Sequence, residues 1–141
     1  MTIEDIENEI IGEFEMFENW EDKYQYVIDM GKDLKPMAEE LKTDDRLIKG
    51  CQSRVWLHSA VKDGKIVYTA DSDAIITKGL VALMIRTLSN HDPEEIINAK
   101  VDFIDVIGLK SHLSPTRANG LLSMIKQMKL DAMALKIKLS N

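Results

Sequence analysis

The chain has 141 residues, of which 45% are hydrophobic and 30% are charged, and its 24 acidic and 18 basic residues give a net charge of −6. This composition is typical of a soluble globular protein with an ordinary apolar core, and it excludes disordered, collagen-like and membrane-spanning chains. We predict a single domain over residues 1–141. Because the N-terminus is acidic, unlike a signal or transit peptide, we predict a cytoplasmic protein.

Charge is distributed unevenly along the chain. Residues 1–45 have a net charge of −11, residues 46–109 are neutral, and residues 110–141 have a net charge of +5. The acidic first third disfavours nucleic acid, and the lysines of the last third are typical of the outer face of an amphipathic helix near its C-terminus. We therefore predict neither a nucleic-acid partner nor a membrane partner.

The first 45 residues predict helices. Apolar residues recur every three or four positions over residues 3–17, which indicates an amphipathic helix with Thr2 as its N-cap. Asn19 suits the N-cap of a second helix, and we expect this helix to end at Gly31. Pro36 then favours the first turn of a short helix that runs to residue 41.

The middle of the chain changes from helical spacing to clusters of β-branched and aromatic residues. These clusters predict strands over residues 47–49, 55–61 and 65–69. Asp63 and Gly64 lie between the second and third clusters, where an Asp-Gly pair is a strong signal for a hairpin turn. We therefore predict a small antiparallel sheet of about three strands.

Helical signals return in the second half. The segment Asp71-Ser72-Asp73 offers caps for a largely apolar helix over residues 74–88, and Pro93 suits the start of another helix. Residues 101–109 fit a helix or a strand equally well. Ser114-Pro115 begins the longest predicted helix. Helices on both sides of a short run of strands predict an α+β fold, with helices packed on the sheet.

The chain contains one cysteine, Cys51, so it cannot form an intrachain disulfide or hold a cluster through several thiolates of its own. Cys51 lies in a predicted turn beside Gly50, where the missing side chain would ease the approach of another protein's sulfur. The nearby cations Lys49 and Arg54 favour a thiolate, which is the nucleophilic form. The alternative is an inert cysteine, because lone cysteines are among the most buried residues.

Several sequence blocks together resemble the SufE family and stand in the order of that family. They are Asn19-Trp20-Glu21-Asp22-Lys23-Tyr24, Gly31-Lys32, Gly50-Cys51-Gln52-Ser53-Arg54-Val55-Trp56-Leu57, Ala70-Asp71-Ser72-Asp73-Ala74, Lys78-Gly79-Leu80 and Leu113-Ser114-Pro115-Thr116-Arg117-Ala118-Asn119-Gly120-Leu121. The resemblance implies a fold like that of SufE and IscU proteins. It also implies a sulfur acceptor in iron-sulfur cluster assembly, with Cys51 as the acceptor.

As implied by this resemblance, the protein takes persulfide sulfur from a SufS-like cysteine desulfurase and stimulates that enzyme. It then delivers the sulfur to a SufB-like scaffold, acting as an activator and carrier rather than a stand-alone enzyme. We expect no cofactor, because pyridoxal phosphate belongs to the desulfurase, and no metal site. The chain is expected to be a monomer or a weak homodimer.

The predicted site has one catalytic residue, one group of residues that supports its thiolate or persulfide, and one group that binds a partner. We expect Cys51 to carry the sulfur. Support for its thiolate or persulfide is assigned to Gly50, Gln52 and Arg117, and partner binding to Ser53, Arg54, Asp71 and Asp73. Two alternatives remain open at this point: a redox sensor that uses Cys51, and a regulatory interaction module.

Overall fold

Nine elements of regular structure follow one another in the computed structural model, which describes residues 1–140. The last residue of the predicted domain, Asn141, lies outside this range. The elements are α1 (Ile3–Glu15), α2 (Trp20–Lys32), β1 (Val55–Lys62), β2 (Lys65–Ser72), α3 (Ile75–Leu88), α4 (Pro93–Asn98), α5 (Phe103–Val106), α6 (Leu109–His112) and α7 (Pro115–Ser140). Helices pack on a small antiparallel sheet, so the predicted α+β class is confirmed.

The sheet is a hairpin of β1 and β2, in register from Val55 opposite Ser72 to Lys62 opposite Lys65. Its turn has two consecutive residues in the left-handed region, Asp63 at φ 53° and Gly64 at φ 78°. Two such residues form the turn whose twist matches a right-handed hairpin. The Asp-Gly signal therefore identified the hairpin correctly.

The predicted third strand over residues 47–49 is wrong. Leu47 forms an isolated bridge with Trp56, and the Ile48 N–H donates to the Val55 carbonyl at 2.8 Å. A 3-10 turn over Asp44–Arg46 precedes this segment, and Gly50 follows it at φ +89°. Too few extended residues remain between these two breaks to form a strand, so within residues 1–140 the sheet has two strands.

Helices α1 and α2 begin at the predicted caps. The Thr2 hydroxyl and the Asp5 carboxylate form a capping box, and the Asn19 side chain accepts from the Asp22 N–H. Gly31 does not end α2, which continues to Lys32. In place of the short helix expected from Pro36 to residue 41, the structure has a 3-10 turn over the last three residues of that segment, Glu39–Leu41.

Two glycines let α2 and α3 approach closely. A Cβ on Gly31 would lie 2.7 Å from the Gly79 nitrogen, and a Cβ on Gly79 would lie 2.2 Å from the Val27 carbonyl oxygen. No real Cβ tolerates such distances, so each glycine is required by the helix crossing. The crossing buries most of α3, as its largely apolar sequence predicts.

The predicted capping of α3 by Asp71 and Asp73 is wrong. The N-cap residue is Ala74, and no side chain caps the helix there. Asp71 and Ser72 belong to the end of β2 instead, and the Ser72 hydroxyl accepts from the Ala74 N–H at 3.3 Å. The strand continues three residues further than its apolar pattern indicates.

The last third of the chain covers the core face of the sheet. The ambiguous residues 101–109 form α5 and the start of α6, separated by Gly108 at φ 78°. The Ser114 hydroxyl accepts from the Arg117 N–H at 3.2 Å, at the predicted start of α7. The buried Tyr68 hydroxyl donates to the Met128 carbonyl at 2.6 Å, which fastens β2 to α7. No helix within residues 1–140 is long and apolar enough to cross a membrane.

Candidate functional site: the Cys51 loop and its cleft

Cys51 lies in a short loop over residues 49–54, which is closed at its base by backbone contacts. On one side the Ile48 N–H donates to the Val55 carbonyl. On the other side the Arg54 N–H donates to Asp73 Oδ1 at 3.0 Å, and the Asp73 N–H donates to the Arg54 carbonyl at 3.3 Å. These contacts fix where the loop leaves the sheet.

The loop rests on α7 at two positions. The Cys51 thiol donates to the Gly120 carbonyl, with a sulfur-to-oxygen distance of 3.7 Å. A Cβ on Gly120 would lie 3.2 Å from Cys51 Sγ, and a Cβ on Gly50 would lie 3.1 Å from the Ser123 hydroxyl oxygen. Because Gly50 also has φ +89°, a side chain there would be strained as well as crowded. Both glycines therefore let the loop lie against the helix.

Cys51 faces a cleft of about 310 Å³ between the loop, α3 and α7. The cleft is lined by both polar and apolar side chains. Its lining residues are Cys51, Gln52, Ser53, Val55, Thr77, Leu80, Val81, Thr116, Arg117, Gly120, Leu121 and Met124.

Arg117 is exposed in the first turn of α7, on the rim of this cleft. A cation in the first turn opposes the helix dipole, so local helix stability does not explain its presence. The structure thus brings Arg117 and Cys51 to one cleft from positions far apart in sequence.

Burial raises the pKa of the Cys51 thiol above its ordinary value. This result contradicts the expectation that Lys49 and Arg54 favour the thiolate of the resting protein. Both side chains are exposed, and the partly buried sulfur lies against α7 instead. Burial, rather than a neighbouring charge, sets the direction of the shift in the pKa of Cys51, and burial favours the protonated thiol.

Asp71 does not lie on the cleft. Its carboxylate is buried and pairs with Lys42 at 3.1 Å and Lys78 at 3.5 Å. Burial alone would raise its pKa, but the Ser72 N–H and the two lysines outweigh burial and hold the pKa below its usual value. With its side chain enclosed by these contacts, Asp71 fastens the end of β2 to α3, and its part in partner binding stays a prediction.

The other predicted site residues surround the loop. Gln52 and Ser53 line the cleft, and Asp73 fixes the loop base through its contacts with Arg54. Sequence reasoning assigned no role to Gly120, although a glycine inside a helix is a signal for close packing. It also missed the apolar cleft residues of α3 and α7, because nothing in their spacing distinguishes them from ordinary core positions.

The family model for the SufE "Fe-S metabolism associated domain" matches residues 8–132. The chain belongs to the SufE family. The two sequence blocks around Cys51 and Arg117, on which the resemblance in the sequence rests, both contribute residues to one cleft.

Several curated proteins resemble this SufE-family chain. An uncharacterized SufE-like protein of Rhizobium meliloti is 40% identical over 132 residues, covering 89% of this chain and 93% of its own. An uncharacterized SufE-like protein of Synechocystis sp. is 38% identical over 128 residues, covering 91% of this chain and 80% of its own. The "SufE-like protein 1, chloroplastic/mitochondrial" of Arabidopsis thaliana is 38% identical over 131 residues, or 92% of this chain. That match spans only 35% of the Arabidopsis protein.

A solved structure supports the fold of this SufE-family protein. The solution structure of a hypothetical protein from Thermus thermophilus superposes with a TM-score of 0.77, covering 92% of this chain and 94% of that one. The two sequences are 18% identical, so this likeness concerns the fold alone.

Proposed function

We propose that this SufE-family protein is a sulfur carrier of iron-sulfur cluster assembly. In this proposal Cys51 accepts sulfur from the persulfide of a SufS-like cysteine desulfurase, which speeds the turnover of that enzyme, and then delivers it to a SufB-like scaffold. The observation that carries the proposal is that the chain's one thiol lies in a loop beside a cleft of about 310 Å³. The family's role in iron-sulfur metabolism supports the same direction.

The transfer is a thiol-disulfide exchange with a persulfide as the disulfide. Cys51 loses its proton, and its thiolate attacks the outer sulfur of the desulfurase persulfide. A new sulfur-sulfur bond forms on Cys51 while the old one breaks, and the desulfurase cysteine leaves as a thiolate that takes up a proton. No net oxidation or reduction occurs, because the sulfane sulfur only changes its carrier.

A single cysteine suits this task. A second thiol nearby would attack the loaded persulfide, close a disulfide and expel the sulfur as sulfide. The chain has no other cysteine with which to do so. Delivery repeats the first step with the roles exchanged, since a nucleophile of the scaffold attacks the outer sulfur and Cys51 leaves as a thiolate.

The resting state of Cys51 favours a carrier over a redox sensor. Redox-sensing cysteines are accessible and have a lowered pKa, because oxidants react with the thiolate. Burial raises the pKa of Cys51, and the thiol lies against Gly120. A raised pKa lowers the fraction of thiolate, so oxidants are expected to react with this thiol more slowly than with a redox-sensing cysteine, and activation by a docked partner is part of the proposal.

Arg117 is proposed to stabilise the anion in the loaded or reacting state. Arg117 and Cys51 line the same cleft, so a movement of the exposed Arg117 side chain can bring its guanidinium to a persulfide that forms on Cys51. Hydrogen bonds to a charged group are stronger than those between neutral groups, and this strength increases when a docked protein excludes water. Gln52 and Gly50 are proposed to complete the same support.

The desulfurase is proposed to dock around the loop, since its persulfide must reach bonding distance of Cys51. Ser53 and Arg54 belong to the loop, and Asp73 fixes its base, so all three fall within that surface. Pyridoxal phosphate is proposed to stay with the desulfurase. The carrier itself needs only its thiol.

The direct test is mass spectrometry of the intact chain after incubation with a cysteine desulfurase and free cysteine. We expect a gain of one sulfur atom, reversed by a reducing agent and absent in Cys51→Ser. Because serine is nearly isosteric, the control is expected to keep the fold. An unmodified wild-type chain beside an active desulfurase would contradict the proposal.

A further inference from the structure

The strand β1 has an open edge. Its hydrogen-bonded neighbour in the sheet is β2, and on the other side the segment 46–48 covers only the beginning of the strand. The Val55 carbonyl accepts from the Ile48 N–H, so the backbone groups of Val55 point away from β2. Alternate residues of a strand point their backbone groups to the same side. The N–H and C=O groups of Ser59 and Val61 therefore also point away from β2.

The partner strand confirms this alternation independently. Tyr68 lies opposite Ser59, and its N–H donates to the Ser89 hydroxyl outside the sheet at 3.0 Å. Ile66 lies opposite Val61, and its N–H likewise leaves the sheet, to the His91 carbonyl at 2.9 Å. Within residues 1–140 the outward backbone groups of Ser59 and Val61 have no hydrogen-bond partner, so another strand can pair with them.

The open edge faces a groove of about 650 Å³ between β1 and the flank of α7. This edge groove continues to the Cys51 loop, because Ser123 lines the groove and also meets Gly50. On its α7 side lies Leu130, a large apolar side chain that is 46% exposed. The edge groove is lined by Asp45, Arg46, Leu47, Ile48, Lys49, Leu57, His58, Ser59, Ser123, Lys126, Gln127, Leu130, Asp131, Ala134 and Leu135.

The charge available in the edge groove is positive. Lys49 and Lys126 are exposed, and neither forms a salt bridge with the described part of the chain. Arg46 adds a third cation, and the two carboxylates of the groove, Asp45 and Asp131, accept hydrogen bonds from the Thr43 and Ser59 hydroxyls. Bonds from neutral hydroxyls leave both carboxylates charged, so three cations and two anions give the edge groove a net charge of +1. A basic groove is unusual on a chain whose net charge is −6, and it complements acidic ligands.

We propose that the edge groove binds an extended, acidic segment of a partner protein, which pairs with β1 as an added strand. The backbone of that segment bonds Ser59 and Val61, its carboxylates lie near Lys49 and Lys126, and an apolar side chain covers Leu130. Strand addition of this kind draws affinity from backbone hydrogen bonds and specificity from side-chain contacts. This inference goes beyond sulfur transfer and does not depend on it, because Cys51 is not part of the groove.

Other occupants fit the edge groove less well. A lipid surface presents no extended backbone that could pair with the N–H and C=O groups of Ser59 and Val61 in turn. A second copy of the chain that paired edge to edge would bring the lysines of both grooves together, and like charges repel. A helix would leave the outward backbone groups of β1 without partners.

The test uses a defined probe, an end-blocked peptide of alternating glutamate and valine, and a lysine-valine peptide as its charge control. Amide NMR of the full chain locates binding, and amide hydrogen exchange detects new backbone bonds. We expect the acidic peptide to shift the resonances of Ser59 and Val61 and to slow their exchange. The lysine peptide is expected to do neither. Repeating the titration on Cys51→Ser separates this result from any failure of the sulfur-carrier proposal.

Two matched pairs of variants test the mechanism. Val61→Pro removes the outward N–H, which is tolerated at a strand edge, whereas Val61→Ala removes the side chain and keeps the donor. Lys126→Glu reverses the groove charge, whereas Lys138→Glu reverses an exposed charge of α7 outside the groove. We expect Val61→Pro and Lys126→Glu each to weaken binding about tenfold relative to its control.

The proposal is overturned if the acidic peptide does not bind, or if its resonance shifts map away from both the edge groove and the outer edge of β1 at Ser59 and Val61. Equal affinities within both pairs would also overturn it. Binding of anionic phosphatidylglycerol vesicles that is lost in Lys126→Glu, in the absence of peptide binding, would assign the groove to a lipid surface instead. If Val61→Pro does not fold, the comparison of Lys126→Glu with Lys138→Glu and the hydrogen exchange of the Ser59 amide still test the proposal.

Discussion

A methyl group added at Gly120 is expected to displace Cys51 from its resting place without destabilising the protein. The new Cβ would lie 3.2 Å from Cys51 Sγ and 3.8 Å from Cys51 Cβ, so the sulfur must move by a few tenths of an ångström. The sulfur ends a side chain in a loop, and such a shift costs little. Replacing glycine by alanine inside a helix contributes about 1 kcal/mol of stability. We therefore expect a free energy of unfolding between that of the wild type and about 1 kcal/mol above it.

The displaced thiol should react faster. Burial is what raises the pKa of Cys51, so a more exposed sulfur has a lower pKa and more thiolate at neutral pH. Each unit by which the pKa falls increases the thiolate fraction about tenfold, and we expect alkylation by iodoacetamide at pH 7 to accelerate by about three- to tenfold. The rate measured against pH should shift to lower pH as a whole.

Gly12→Ala is the matched control for this experiment. Gly12 lies within α1, and no atom lies within 4 Å of the position its Cβ would take. It should show the same gain of helix stability with no change in alkylation. An unchanged alkylation profile in Gly120→Ala, or a loss of more than about 2 kcal/mol of stability, would refute the packing of Cys51 on α7.

Substitutions at three further positions test the cleft and its surroundings. Arg117→Ala should slow sulfur transfer about tenfold while leaving the alkylation profile of resting Cys51 unchanged. Arg117→Lys should recover part of the rate. Equal transfer rates in the wild type and both variants would contradict the proposed role of the cation. Asp71→Asn should cost about 2 kcal/mol in chemical denaturation at pH 7, because two lysines lose their buried partner. Since the pKa of folded Asp71 is lowered, this stabilisation is present above its unfolded pKa and is lost as pH falls through its folded pKa, so a cost that persists in acid would contradict the ion pairs. Gly79→Ala should cost at least about 2 kcal/mol, because its Cβ would lie 2.2 Å from a backbone oxygen, and a thermal midpoint equal to that of Gly12→Ala would disprove the close crossing.

Local signals predicted most of the fold correctly. The caps Thr2 and Asn19 and the Asp63-Gly64 turn act through neighbours a few residues away, and the structure shows each of them as predicted. The strand predicted over residues 47–49 is wrong because the apolar character of these residues does not reveal the turn before them or the left-handed glycine after them. Two residues with strand preferences make a bridge rather than a strand.

The errors at the site come from contacts between distant parts of the chain. The sequence wrongly predicts Asp71 as a helix cap, since nothing near it in sequence points to Lys42 and Lys78 as partners of its buried carboxylate. Lys49 and Arg54 flank Cys51 in sequence, yet the thiol lies on Gly120, 69 residues away. The sequence singles out Cys51 as the candidate residue, but the state of its proton depends on packing that only the fold supplies.

Desulfurase turnover in the presence and absence of this protein tests the central claim most directly. With cysteine in excess and alanine release as the readout, we expect the wild type to stimulate turnover and Cys51→Ser to give none of this stimulation, while Gly12→Ala stimulates fully. Circular dichroism of Cys51→Ser establishes that it is folded. Full stimulation by a folded Cys51→Ser protein would show that turnover does not depend on acceptance of sulfur by Cys51. This result would contradict the proposal that the protein is a sulfur carrier.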